Sequence, residues 1–392
     1  MAKYKFNHMK MVAQSVIVPE NEINIYDEAQ YYDNNVKRID RMRKMVGFFK
    51  RRVSDKDVAP SYYALDAARK LFAETNIEPS SVDAVVYMAQ RQDWSQPSTG
   101  YYLHKKLHLS EQCPCLTINQ GCPAWIYGMW TVAQMLESGA NKRILLLCGD
   151  TPSVGIDPAN RISAPVFGDA GCATLLEYDE NATPTYFNIE TFSDGFEAII
   201  TPISGAHCVF SKSDPDDIKQ YNELLDTKIT TPSGMKTTLF AGYMDGIAVF
   251  DFTISKVPAN IKSLMNFANV SYADIDTLCL HQANKQIVQT VAIESGFDLD
   301  KAPYYAFENY GNNTMCSIPT TINTIVKNAD WSSPKTLLCS GFGNGLAVAT
   351  MLITLSPDVK LCGVFNWTKP DDFMTRDQYI AYWKNKIETT KH

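Results

Sequence analysis

Several patterns are missing from this 392-residue chain, and each absence narrows its possible functions. No apolar run approaches the roughly 20 residues that a transmembrane helix needs. The N-terminus, MAKYKFNHMK, lacks the apolar segment of a secretory signal peptide. A net charge of −7 disfavours a nucleic-acid-binding protein, although residues 50–52 form a basic cluster that could bind a small acidic partner. The sequence therefore predicts neither a membrane span nor a nucleic-acid partner.

The ten cysteines form neither a disulfide framework nor a zinc motif. They are scattered without a CxxC pair, and Cys113 and Cys115 have no second pair of ligands at a usable spacing. Scattered cysteines in a chain of this length are typical of a reduced protein with buried thiols. We therefore expect a cytoplasmic location and no bound metal.

Two long stretches of the chain repeat the same order of patterns. Residues 61–90 have the pattern of an amphipathic helix, a loop and a buried strand, and residues 257–284 repeat that order. A second helix follows each stretch, and two apolar strands follow each of these helices. The second helices are expected at about 122–136 and 317–326, and the strands at 142–150, 171–178, 335–345 and 345–355. This alternation predicts an α/β protein with mostly parallel sheets, built as two similar halves about a pseudo-twofold axis.

The repeat suggests boundaries for three segments. We expect an N-terminal half at 1–182, a C-terminal half at 183–355 with an irregular insertion at about 190–245, and an extension at 356–392. A helix in this extension would carry an apolar face of Tyr379, Ile380, Tyr382 and Trp383. The simpler interpretation is that this face packs on the chain's own surface, and the alternative is that it binds a partner.

The stretch LTINQGCPAWIYGMW (116–130) places Cys122 between a strand and a helix. A buried, inert thiol is the usual role of a single cysteine. Here Gly121 would allow a tight turn, and Pro123 suits the first helical position. Unpaired N–H groups and the helix dipole would then lower the pKa of the thiol, which predicts an activated nucleophile.

Two further side chains are candidate partners of this cysteine. His281 directly follows the buried strand TLCL, and strand ends of this kind point into ligand-binding crevices. Asn312 lies in a Gly-Asn turn before a helix, within YGNNTMCSIP. The alternative interpretations are a structural histidine with satisfied hydrogen bonds and a simple turn or capping asparagine.

Six motifs, taken in order, carry a family resemblance: NQGCPAW, FGDAGCA, YMDGIAVF, HQAN, YGN…SIP and GFGNG. The chain resembles β-ketoacyl-acyl-carrier-protein synthase III, a family of thiolase-fold condensing enzymes, from about residue 10 to residue 355. The resemblance implies a thiolase-like fold with five layers in the order αβαβα. It also implies an acyltransferase that carries out decarboxylative Claisen condensation in lipid, polyketide or other specialised acyl-chain biosynthesis.

The resemblance also assigns roles to the candidate residues. Cys122 would hold the acyl primer as a thioester, while His281 and Asn312 would stabilise the enolate formed when a malonyl thioester loses CO₂. Backbone N–H groups of Cys122 and Asn344 would form the oxyanion hole, and Phe342 of the same GFGNG loop would contact substrate. The expected partners are acyl carrier protein, an acyl primer on this carrier or on coenzyme A, and malonyl-acyl carrier protein. No metal or organic cofactor is implied.

Some positions depart from the family pattern. Relatives that use coenzyme A place a tryptophan and an arginine against the adenine near residues 41–45, where this chain has Arg41 and Met45 within RMRKM. The other arginine on the adenine side is present as Arg161. Lys285 follows HQAN and is a candidate contact for the carrier protein. Gln96 replaces an aromatic group that reaches the acyl tunnel of the neighbouring subunit, which implies a homodimer with a longer or more polar tunnel.

Other functions remain compatible with parts of the sequence. One alternative is acyl transfer from Cys122 to an alcohol or amine without condensation, and another is a non-catalytic subunit that binds a carrier protein. A Cys–His hydrolase is a further alternative. The complete set of Cys122, His281 and Asn312 favours condensation, because none of the alternatives needs all three side chains.

Overall fold

The computed structural model describes residues 3–158, 160–161, 163–208, 213–231 and 236–390. Most of the strands form two mixed sheets, with helices on both faces of each sheet. The helices are α1 (Val36–Val46), α2 (Pro60–Thr75), α3 (Thr99–Lys106), α4 (Ala124–Glu137), α5 (Pro215–Asp226), α6 (Gly246–Ala268), α7 (Lys285–Ser295), α8 (Tyr305–Tyr310), α9 (Ser317–Thr324) and α10 (Arg376–Thr389).

The first sheet has six strands and belongs mainly to the N-terminal half. In spatial order they are β17 (Lys360–Asn366), β2 (Met9–Val18), β8 (Ala170–Tyr178), β7 (Arg143–Asp150), β5 (Ala84–Ala89) and β6 (Cys115–Asn119). Strand β5 is parallel to both β6 and β7, and β17 is parallel to β2, whereas β8 runs antiparallel to β2 and β7.

The second sheet has five strands and belongs mainly to the C-terminal half. In spatial order they are β1 (Lys3–Phe6), β9 (Thr185–Thr191), β16 (Ala347–Leu355), β15 (Lys335–Gly343) and β14 (Thr277–Leu280). Only β14 and β15 are parallel neighbours in this sheet. The prediction of mostly parallel sheets is therefore wrong, because β15 returns directly into β16 without a crossover helix.

Alternation along the strands sorts the core into three apolar layers. In β5, Val85 and Tyr87 pack with α2 on the outer face, while Val86 and Met88 face the centre of the molecule with α4 and α9. The outer face of the second sheet packs against α6 and α7. Since α4 and α9 lie between the two sheets, the order of layers is αβαβα, which confirms the predicted fold.

Residues at the two ends of the chain cross the expected segment boundaries. Strand β1 pairs with β9 of the second sheet, although the first half was expected to begin at residue 1. Strand β17 pairs with β2 of the first sheet, although residues 356–392 were expected to lie outside both halves. The sheets therefore exchange their edge strands, a pairing that the internal repeat could not reveal.

The smaller elements lie at the periphery. Three two-stranded sheets pair β3 (Glu22–Asn24) with β4 (Lys50–Arg52), β10 (Ile199–Ile200) with β13 (Tyr243–Met244), and β11 (Ile229–Thr230) with β12 (Lys236–Thr237). The last two pairs, with α5, form the described part of the predicted insertion. No helix within the described ranges is long and apolar enough to cross a membrane.

Helix α10 ends the described chain and has no buried residue. The Trp94 ring nitrogen donates to the Tyr379 hydroxyl at 2.5 Å, which fixes the start of the helix to the loop before α3. Ile380, Tyr382 and Trp383 nevertheless remain exposed. Only part of the predicted apolar face therefore packs on the chain's own surface.

Candidate active site

The three predicted side chains follow the ends of sheet strands or precede the two central helices. Cys122 lies between β6 and α4, His281 directly follows β14, and Asn312 lies between α8 and α9. Both central helices lie between the sheets, so the residues before them come from opposite halves and face the same interior. The predicted helix start is slightly wrong, because Pro123 is the N-cap and α4 begins at Ala124.

The end of β15 and the loop that follows it lie close to Cys122. A methyl group on Gly343 would lie 3.2 Å from the Cys122 sulfur, and a methyl group on Gly121 would lie 1.5 Å from Oδ1 of Asn344. Gly121 does not have the left-handed backbone that a strained turn would need. The predicted tight turn is nevertheless present, because the Ala124 N–H donates to the Gly121 carbonyl at 2.9 Å. Glycine is needed at this position for a different reason, since the Asn344 side chain occupies the space that a Cβ would fill.

The Cys122 thiol is less acidic than the sequence predicts. Burial raises its pKa to about 12, the nearby Asp150 carboxylate raises it further, and the cysteine's own N–H acts in the opposite direction. Desolvation of the thiolate thus outweighs the helix N-terminus. Cys122 is a neutral thiol at neutral pH, so its proton must leave as the sulfur attacks.

His281 is buried and is held by one hydroxyl group. Ser317 Oγ lies 2.8 Å from Nδ1 of the imidazole and accepts a hydrogen bond from the Gln282 N–H at 3.2 Å. We assign the hydroxyl proton to the contact with Nδ1, because this hydroxyl already accepts from the Gln282 N–H and no other described residue accepts its proton. The ring proton then lies on Nε2, which makes Nε2–H a hydrogen-bond donor.

Burial also fixes the charge of His281. It lowers the pKa of the imidazole to about 4, against the smaller opposing effect of the Thr314 backbone. The ring of Phe342 packs edge-on against the imidazole, with 5.4 Å between ring centroids. His281 is therefore a neutral donor at physiological pH and is positioned by Ser317 and Phe342.

The Asn312 amide has a fixed orientation. Its Oδ1 accepts a hydrogen bond from the Thr314 N–H at 3.0 Å, and its backbone N–H donates to the Val166 carbonyl at 2.7 Å. No described residue accepts a hydrogen bond from its Nδ2. The amide nitrogen is therefore free to donate to a substrate oxygen.

Shared neighbours bring the three side chains to one place. Consecutive residues of β15 contact two of them, since Phe342 packs on His281 and Gly343 adjoins Cys122. Thr314 lies beside His281 and Asn312. Across the described part of the chain, the backbone N–H groups of Cys122 and Asn344 have no acceptor in another residue. Gly343, which precedes Asn344, adjoins the sulfur, so both N–H groups belong to segments beside Cys122.

The structure places the remaining predicted residues at the edge of the site or away from the Cys122 sulfur. Phe342 is buried against His281. Lys285 begins α7 and lines a surface cavity of about 290 Å³ with Arg43 and Lys44. Gln96 is exposed in the loop before α3.

Arg161 is occupied by an internal partner. Its guanidinium donates to both carboxylate oxygens of Asp33, at 2.9 and 3.1 Å. Arg38 also contacts Asp33, and the two arginines lower the pKa of this carboxyl. Met45, on α1, is largely exposed.

Sequence reasoning missed three polar residues that surround the site. Ser317 and Thr314 lie inside the motif that contains Asn312, but hydroxyl residues near a turn have many uses and gave no distinct signal. Asp150 ends a buried strand in LLLCGD, where an acidic residue after four apolar positions was a signal that could have been used. In the part of the chain that the structure describes, no cluster of histidine, cysteine or acidic side chains could hold a metal ion.

Comparisons with known proteins give consistent matches. Residues 116–195 match the family model 3-Oxoacyl-[acyl-carrier-protein (ACP)] synthase III, and residues 265–355 match the model of its C-terminal region. A putative 3-oxoacyl-[acyl-carrier-protein] synthase 3 of Campylobacter jejuni is 30% identical over 94% of this chain and 99% of its own length. A β-ketoacyl-[acyl-carrier-protein] synthase III of Streptococcus pneumoniae is 29% identical over 86% of this chain and 96% of its own length.

A solved structure agrees with these sequence matches. A 3-oxoacyl-(acyl-carrier protein) synthase from Burkholderia xenovorans LB400 superposes with a TM-score of 0.82 at 25% identity. The alignment covers 93% of this chain and 99% of that chain. The family resemblance read from the six motifs is confirmed.

Proposed function

Because the chain belongs to the 3-oxoacyl-[acyl-carrier-protein] synthase III family, we propose that it extends an acyl primer with a malonyl unit held on acyl carrier protein. Members of this family are condensing enzymes of the acyltransferase class, and this chain is one of them. The observation that carries the proposal is the joint position of a cysteine thiol and two neutral hydrogen-bond donors beside one β15 loop.

The first step would load the primer onto Cys122. The sulfur attacks the thioester carbonyl, a new carbon–sulfur bond forms, and the bond to the carrier's thiol breaks. The proton of Cys122 ends on the departing thiol, so no net charge is created. The N–H groups of Cys122 and Asn344 would stabilise the negative oxygen during this exchange.

The second step would join the two acyl units. The bond between the malonyl carboxylate and its methylene carbon breaks, CO₂ leaves, and the electron pair forms an enolate. Nε2–H of His281 and Nδ2–H of Asn312 donate to the enolate oxygen. The enolate carbon attacks the acyl thioester, the bond to Cys122 breaks, and the sulfur takes up one proton from solvent.

A reconstituted reaction tests this function. Purified protein is mixed with a panel of acyl primers, each loaded on acyl carrier protein. Malonyl-acyl carrier protein, labelled at the free carboxylate, is added as the extender. We expect labelled CO₂ and a β-ketoacyl product two carbons longer than each accepted primer. A product that carries the unextended acyl group on an alcohol or amine would establish simple acyl transfer and overturn the proposal.

The primer is proposed to arrive on a carrier protein rather than on coenzyme A. Two observations support this choice: Asp33 occupies the guanidinium of Arg161, and Met45 provides no aromatic surface for an adenine. Three cations and two acidic residues line the cavity beside α7, and the excess of positive charge suits an acidic carrier surface. The cations are Arg43, Lys44 and Lys285, and the acidic residues are Asp40 and Glu308. Faster loading from acyl-coenzyme A than from the matched acyl carrier protein would contradict this choice.

We also propose a homodimer and a cytoplasmic location. Strand β6 pairs only with β5 among the described residues, and Leu116 and Tyr101 are exposed near this open edge. A concentration-independent monomer in sedimentation would contradict the dimer.

All ten cysteines are free, as expected in a reducing compartment. Secretion of the native protein into culture medium would contradict the location.

A further inference from the structure

Asp150 is a buried carboxyl group that the proposed reaction does not use. It ends β7, is 4% exposed, and forms no ion pair with any described residue. Its Oδ1 accepts a hydrogen bond from the Thr151 N–H at 3.0 Å, and its Oδ2 accepts one from the Thr314 hydroxyl at 2.8 Å. Burying such a group without an ion pair costs stability, so its position beside the reacting groups calls for a local role.

Thr314 has an unfavourable backbone that this hydrogen bond holds in place. Its φ of +46° lies in the left-handed region, where a β-branched residue is sterically strained. In this conformation the Thr314 N–H points to Oδ1 of Asn312, at 3.0 Å, and its backbone also acts on His281. Thr314 thus fixes the amide of one donor and lies against the ring of the other.

We propose that Asp150 and Thr314 are positioning residues which hold the Asn312 amide, and with it the His281–Asn312 pair, in the orientation needed for decarboxylation. The Asp150 carboxylate fixes the Thr314 hydroxyl, Thr314 keeps its strained backbone, and its N–H holds Oδ1 of Asn312. The Asn312 amide nitrogen therefore points to the enolate oxygen. This inference rests on the proposed condensation, because it concerns only the step that releases CO₂.

The effect should be specific to one half of the reaction. Loading of Cys122 requires neither the Asn312 amide nor the His281 imidazole as a donor. Decarboxylation requires both donors in their correct positions. Misorientation of one donor by about 1 Å is enough to slow a reaction by roughly a hundredfold. Loss of the link should therefore slow CO₂ release and leave the rate of Cys122 acylation nearly unchanged.

Thr314→Val tests the link with little change of shape, since valine is also β-branched and keeps the backbone N–H. We expect CO₂ release from malonyl-acyl carrier protein to fall about 10- to 100-fold, while acylation of Cys122, followed by intact-protein mass, changes less than about threefold. Thr314→Ser retains the hydroxyl and should restore CO₂ release to within about threefold of wild type. Thr253→Val, which removes a buried hydroxyl from α6, is the matched control.

A double-mutant cycle tests whether Asp150 acts through Thr314. Asp150→Ala should slow CO₂ release as much as Thr314→Val, and the double variant should be no slower than the slower single variant. Wild-type rates in Thr314→Val, multiplied effects in the double variant, or equal loss of both half-reactions would each overturn the inference. If wild-type protein itself releases no CO₂, the proposed function fails instead.

Discussion

The two halves of the molecule share an architecture but contribute different chemistry. Strands β5, β7 and β8 of the first sheet correspond in order and direction to β14, β15 and β16 of the second, and α4 corresponds to α9. The difference lies between the first strand and the central helix. The first half inserts α3 and β6 there, whereas the second inserts α7 and α8.

This difference decides which side chains reach the centre. Cys122 and Asn312 occupy matching places, each just before a central helix, so one half supplies a nucleophile where the other supplies a donor. His281 follows β14, whereas the matching place after β5 holds Gln90. The shared scaffold thus brings two loops together, and in the proposed reaction the residues that differ divide the steps into loading and decarboxylation.

Removal of the nucleophile should separate the two half-reactions most clearly. Cys122→Ala should abolish β-ketoacyl product, a loss of more than about 10³-fold, because no thioester can form. Decarboxylation should continue, since its donors lie in the other half. Product mass and labelled CO₂ measure the two activities. Cys208→Ala, at a half-buried cysteine outside the site, serves as the control. Formation of β-ketoacyl product by Cys122→Ala would show that the two activities are not divided between the halves.

Removal of the donor should have the opposite pattern. Asn312→Ala should slow CO₂ release about 10²- to 10³-fold, the usual effect of losing one preorganised donor to an oxyanion. Acylation of Cys122 should change less than about threefold, as measured by intact-protein mass over time. Asn309→Ala removes a half-buried asparagine of α8 and should leave both rates unchanged. Equal slowing of both half-reactions by Asn312→Ala would mean that the halves are not separable.

The halves should also respond to pH with opposite signs. Burial raises the pKa of Asp150 from 3.8 to about 6, so its contribution to stability is present below pH 3.8 and is lost as pH rises through 6. The amide of Asp150→Asn does not titrate, so this variant does not lose stability as the pH rises. From pH 4 to pH 8, the unfolding free energy of this variant should rise relative to wild type by about 3 kcal/mol, measured by urea unfolding.

His281 supplies the contrasting case. Its pKa is lowered from 6.5 to about 4, so the unfolded chain binds a proton first and stability is lost as pH falls through this window. His281→Gln should therefore gain stability relative to wild type between pH 7 and pH 4, again by about 3 kcal/mol. The same pH dependence in both variants would contradict the assigned burial of these groups.

A smaller effect should follow from crowding of the sulfur. Gly343→Ala would place a methyl group 3.2 Å from the Cys122 sulfur and strain a residue whose φ is +155°. We expect acylation of Cys122 to slow about tenfold, with less effect on CO₂ release. Gly155→Ala is the control, because Gly155 also has a positive φ but has open space around it. Unchanged acylation in Gly343→Ala would show that this loop is not tightly packed against the sulfur.

The smallest effect is expected at the surface. Lys285→Gln should raise KM for the carrier-bound substrate about two- to fivefold at low salt, because one half-buried surface charge contributes little and is screened by ions. The difference should shrink as salt increases. Lys386→Gln, on the exposed face of α10, is the control. A Lys285→Gln effect on kcat without any effect on KM would argue against carrier binding at this cavity.

Periodicity was sufficient to predict the fold, because it reports on long, regular segments. Six ordered motifs pointed to Cys122, His281 and Asn312, which share neighbours in the structure. The sequence could not reveal that β17 joins the first sheet, since strand pairing between distant segments leaves no local pattern. It also suggested an acidic thiol at Cys122. That property depends on how deeply the sulfur is buried and on its distance from Asp150, and both arise only after folding.

The position of the acyl group on the protein tests the central claim most directly. Wild-type protein is incubated with acyl-acyl carrier protein, digested, and its cysteine peptides are analysed by mass. We expect a single acyl adduct on Cys122, which disappears when malonyl-acyl carrier protein is added and yields the extended product. An adduct on another residue, or one that malonyl-acyl carrier protein leaves in place, would contradict the account.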